Sequence, residues 1–140
     1  MKPPQADLTL IREVTVTPAA TLTFPEASSA PPVYPTYELA RHFEELAREM
    51  IAPLLDEGEV ALGFEIALQH VNNALEGMDI HYKAEFAAFE NERFTVNVYA
   101  NTELGDLIGR GHATLRLFSR SKYEAGLEKL EQRQDEANTG

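Results

Sequence analysis

Two hydrophobic rhythms divide this chain. Between residues 36 and 55, Leu39, Ala40, Phe43, Leu46, Ala47, Met50, Ile51 and Leu54 recur in steps of three and four. At about 100° per residue they share one arc, which predicts a long amphipathic helix. Thr36, following Pro35, is placed as its N-cap, and Pro53 should end or distort its last turn. Glu38, Glu45 and Glu49 fall on the far side. Glu44 does not: it lies beside Ala40 and Ile51, at the border of the apolar arc.

The second rhythm has a period of two. In residues 61–71 the even positions are Leu62, Phe64, Ile66, Leu68 and His70, an apolar face that ends in a histidine. Residues 8–16 predict a first strand, 78–89 a long strand, 93–102 its hairpin partner after a turn at 90–92, and 107–118 a last strand. Residues 21–24 form a short apolar piece. Residues 25–35 hold four prolines among small polar residues and read as a loop or lid. Ser119 is expected to cap a final helix through about Gln132, with Tyr123, Leu127 and Leu130 on its apolar side. Residues 134–140 are expected as a disordered tail.

The order is strand, loop, long helix, then four long strands. An α+β fold satisfies it, with an antiparallel sheet wrapped around the long central helix and a short C-terminal helix. That is the hotdog architecture, as a single domain over residues 1–133. Such a sheet leaves an open edge, and pairing two edges in a homodimer removes that liability.

The chain has 140 residues, 44% of them hydrophobic and 25% charged, so it is expected to build one globular core. It has no cysteine, which excludes disulfides, thiolate metal sites and a cysteine nucleophile. The net charge of −11 argues against nucleic acid or an anionic membrane surface as a partner. With no secretory pattern and no membrane-spanning apolar run, a cytoplasmic location is expected.

A hydroxyl, a carboxylate and an imidazole at Thr36, Glu44 and His70 would meet if the helix packs on the strand that follows it. Those groups can activate water against an electrophilic carbonyl. Gly63 allows close backbone approach, and its N–H is a candidate oxyanion donor. His42 lies off the apolar arc, and His81 and His112 lie on the more polar strand faces. No pair of histidines has metal-ligand spacing, so no metal is expected.

Residues 31–77 resemble the fluoroacetyl-CoA thioesterase family of the hotdog superfamily. The likeness is carried by Val33-Tyr34-Pro35-Thr36, Glu44, Ala52-Pro53, Leu55-Asp56-Glu57-Gly58-Glu59, Leu62-Gly63, His70 and Gly77, and later by Ile108-Gly109-Arg110-Gly111. It extends over roughly residues 8–128. The family's catalytic Thr, Glu and His fall on Thr36, Glu44 and His70. The resemblance implies acyl-CoA hydrolysis in a homodimer or a dimer of dimers, with sites at the subunit interface. Gly63 and Tyr34 are then substrate-binding candidates, and no cofactor is needed because coenzyme A is part of the substrate. Ala27, Ser28, Ser29 and Ala30 stand where the fluoroacetyl-specific enzyme carries bulky aromatics, so its acyl selectivity is not expected here. Two rival expectations are a non-catalytic module that binds an acyl-CoA or another small ligand, and a purely structural dimer.

Overall fold

The computed structural model describes residues 1–21 and 32–139. The expected apolar piece at 22–24, most of the Pro-rich loop and Ala27 to Ala30 lie outside the described residues. Five strands form one antiparallel sheet: β1 (Thr9–Thr15), β2 (Glu59–His70), β3 (Asp79–Glu90), β4 (Arg93–Thr102) and β5 (Leu107–Ser119). Their spatial order is β1-β3-β4-β5-β2, so β1 and β2 are the two edges. Helix α1 (Thr36–Ile51) packs across the concave face, and α2 (Arg120–Thr139) follows β5. This is the hotdog arrangement expected from the order of elements.

α1 sits where its apolar arc dictates. Leu39, Phe43, Leu46, Ala47, Met50 and Ile51 are buried against Val96, Val98, Ala113, Leu115 and their neighbours in the sheet. Each large side chain removed from water contributes about 1.5–3 kcal/mol before entropy is counted. The chain tightens into a 3-10 turn over Ala52–Leu54, with Pro53 inside it. The β3–β4 hairpin closes through Asn91 and Glu92, both with positive φ, the two-residue turn whose twist suits the strands it joins.

Four local expectations are corrected. Pro35, not Thr36, is the N-cap residue; Thr36 is the first helical residue, and its hydroxyl makes no cap. His42 is buried, because Arg12 of β1 covers that flank of the helix. Arg12 Nη1 donates to His42 Nδ1 at 2.9 Å and to Glu45 Oε1 at 2.8 Å, its Nη2 pairs with Glu49, and the His42 ring lies 4.9 Å from that of Tyr82. The period-two face of β2 also changes sides. A bulge between Gly63 and Glu65 inserts one residue. Before it Ala61 and Gly63 face α1; after it Ile66, Leu68 and His70 do, opposite Ala113, Gly111 and Gly109. Leu62 therefore belongs to the other face. Finally, α2 continues to Thr139, through the expected tail. Its Glu, Lys, Leu, Gln, Arg and Ala residues favour helix without any buried contact.

Candidate functional site

Thr36 and His70 meet at the N-terminal end of α1. Pro35 ends an extended entry segment and turns the chain into the helix, so position 36 opens the first turn. His70 closes β2, and its partner across the ladder is Gly109. A Cβ at Gly109 would lie 2.9 Å from Leu39 Cδ1, so the helix rests directly on that backbone. This close packing brings the Thr36 hydroxyl to 2.9 Å from His70 Nδ1. The two residues, with Val71, Asn72 and Asn73, line a hollow of about 290 Å³. His70 Nε2 is enclosed and has no hydrogen-bond partner among the described residues. An unfilled buried polar group costs about 1–3 kcal/mol, so a group that bonds Nε2 would be held there. Asn72 is already committed, since its side-chain amide donates to the Leu107 carbonyl at 2.7 Å.

Glu44 stands two helical turns further on, about 12 Å along the axis. Its carboxylate lies on Gly63, where a Cβ would collide with Oε1. The close approach expected at Gly63 is thus made by Glu44 itself. Arg48 Nε donates to Glu44 Oε2 at 3.4 Å, and Arg48 Nη1 donates to the Ala61 carbonyl at 3.3 Å, which ties the pair to β2. The Glu44 side chain keeps 37% of its surface exposed. It lines a second hollow of about 250 Å³ with Gly63, Phe64, Glu65 and Ile66. Within one chain, Thr36 and His70 come together, and Glu44 faces a separate hollow on the open edge of β2.

Tyr34, by contrast, has no exposed surface. Its hydroxyl is 2.7 Å from that of Tyr82, and its backbone N–H donates to the Ala74 carbonyl. Burial pushes its phenol up to about 12. One residue at the site was not singled out from the sequence. Phe64 is the residue inserted at the bulge and is 46% exposed beside Glu44. Arg48 holds Glu44, the partner that helical spacing offers four residues after that carboxylate.

Among the described residues no group of three or more histidine or acidic side chains could hold a metal ion. No helix among them is long and apolar enough to cross a membrane.

A family model described as fluoroacetyl-CoA-specific thioesterase matches residues 16–119. The chain belongs to this family. A hypothetical protein of Thermus thermophilus, described as a thioesterase superfamily member, is similar in structure, with a TM-score of 0.89 and 35% identity over 96% of this chain and 98% of that one. A mutant of the fluoroacetyl-CoA-specific thioesterase superposes with a TM-score of 0.81 at 24% identity, over 92% of this chain and 98% of that one. A hot-dog-like protein from Thermanaerovibrio acidaminovorans shares the fold, with a TM-score of 0.81 and 18% identity over 89% of this chain and 90% of that one. No curated protein matches the chain. Membership in the fluoroacetyl-CoA thioesterase family makes the chain a thioesterase. The family match covers α1 and all of β2, and with them Thr36, Glu44, Gly63 and His70.

Proposed function

We propose that this protein hydrolyses an acyl-CoA thioester through Glu44, Thr36 and His70. The observation that carries the reading is the Thr36–His70 hydrogen bond, which joins residues from distant parts of the chain in a member of a thioesterase family. Glu44 activates a water, or attacks the carbonyl carbon itself. Thr36 holds the water or the substrate oxygen, and the Gly63 N–H supports the oxyanion. The C–S bond breaks, and the leaving thiolate takes a proton delivered through His70. The products are a carboxylic acid and free coenzyme A. The chemistry is completed where two copies pair along β2. That edge presents Glu44 together with Phe64 and Ile66, which are 46% and 38% exposed. A homodimer built there covers apolar surface and closes the open strand.

The test is a panel of short, branched and aromatic acyl-CoAs with wild type and Glu44→Ala. Turnover by wild type and its loss in Glu44→Ala is expected; turnover that survives the substitution removes the mechanism. A second reading, a binding module without turnover, is favoured by the separation of Glu44 from Thr36 and His70 in the single chain. Tight binding of an acyl-CoA with no hydrolysis across the panel would establish it.

A further inference from the structure

On the outer face of the sheet, away from α1, Phe118 of β5 packs against Tyr123 of α2 with ring centroids 5.3 Å apart. Lys122, Gly126 and Leu127 complete an almost wholly apolar hollow of about 240 Å³. The Arg116 guanidinium lies over the Phe118 ring at 5.1 Å. Arg116 also stands directly opposite Arg93 in the β4–β5 ladder. Like charges in that position destabilise a sheet, and among the described residues neither Arg116 nor Lys122 has an ion-pair partner. Cations that stand beside aromatic rings and have no ion-pair partner among the described residues suit a ligand that is both planar and multiply anionic.

Gly126 supplies an independent observation. Glycine weakens an exposed helix relative to alanine, yet a Cβ at this position would meet nothing within 4 Å. No contact in the chain requires the missing side chain. Gly126 lines the hollow with Phe118 and Tyr123 and puts no side chain into it.

We infer that this hollow seats the nucleotide end of the CoA substrate, with the adenine against Phe118 and Tyr123 and the phosphates on Arg116 and Lys122. The inference rests on the acyl-CoA reading above. α2 begins at the edge that carries the candidate site: Ser119 pairs with Glu59, and the Arg120 N–H donates to the Gly58 carbonyl at 2.8 Å. Gly63 lies four residues along β2, about 13 Å away. The flexible arm of the substrate therefore rounds the start of β2 and delivers its thioester toward Glu44. Of the nearby acidic side chains, Glu124 lies 3.8 Å from Arg120.

Two variants test this. Lys122→Glu reverses the charge at an exposed position. Gly126→Leu fills the hollow with a better helix former. Each is assayed with an acyl-CoA and with the same acyl group on N-acetylcysteamine, which has no nucleotide. Expected is a KM for acyl-CoA raised about tenfold with kcat unchanged, and unchanged kcat/KM for the truncated thioester. An unaltered KM for acyl-CoA in both variants, or an equal loss with both substrates, overturns the subsite and leaves the hydrolase reading in place. Titration with adenosine 3′,5′-bisphosphate alone is the second readout. If wild type cleaves neither thioester, the hydrolase reading falls, and this titration decides the subsite: binding that Lys122→Glu weakens supports it, and absence of binding to wild type overturns it.

Discussion

The Glu44 carboxylate occupies the volume that a side chain at Gly63 would fill. The two residues belong to different elements, and the fit is so close that the smallest addition at 63 must move Glu44. What moves is the end of a flexible side chain, so the sheet can stay intact. Gly63→Ala is therefore expected to fold, with a midpoint temperature near that of wild type. Its thioesterase turnover should fall by roughly 100-fold, the scale of loss for a catalytic group displaced by about 1 Å. Parallel thermal melts and kcat measurements check this. A large drop in melting temperature would show that the glycine serves the strand rather than the carboxylate.

Gly111 gives the opposite expectation from the same kind of crowding. A Cβ there would press on the Ala67 carbonyl oxygen and come within 2.7 Å of Leu68 Cα, both backbone atoms of β2. Backbone cannot swing aside, so Gly111→Ala should separate β5 from β2 and cost on the order of 3 kcal/mol. Gly109→Ala meets the end of the Leu39 side chain instead, at 2.9 Å, and should cost less. Denaturant unfolding of the two variants would show the order; equal losses would count against it.

His42 links stability to pH. Burial holds its imidazole below the ordinary value of 6.5, and the neighbouring Arg41 and Arg12 push the same way against Glu45 and Glu38. Arg12 can only donate, so Nδ1 accepts and the ring is neutral with its proton on Nε2. Below about pH 6.5 the unfolded chain takes up a proton that the folded His42 refuses. Stability from this residue is therefore present at higher pH and is lost as pH falls below that point, by at most about 1.4 kcal/mol per pH unit. Urea unfolding at about pH 7.5 and 5.5 should show the loss in wild type and a smaller loss in His42→Gln. The same loss in both would assign the pH dependence to other groups.

These residues also show what the sequence makes legible. α1 could be read because its partner is a broad apolar surface, which imposes one arc on Leu39 through Ile51. The strands could be read because each turns apolar side chains to that same helix. The sides of β2 could not, since an inserted residue reverses the alternation at Phe64 and leaves no mark in composition. His42 looked peripheral because its cover, Arg12, comes from β1, thirty positions away. Thr36 matched the usual profile of a helix cap, and only the position of His70 shows its hydroxyl engaged elsewhere. The distance between Glu44 and the other two follows from helix length, but the hollows that separate them depend on how the edge strand is filled.

The extra residue in β2 also acts as a filter on what can join this sheet. A regular strand laid along the edge would fall out of step at Phe64 and leave part of its ladder unmade. Only a strand bearing a compensating irregularity keeps step along the full length. The β2 edge is thus selective by shape, and it resists the indiscriminate stacking to which unprotected edges are prone.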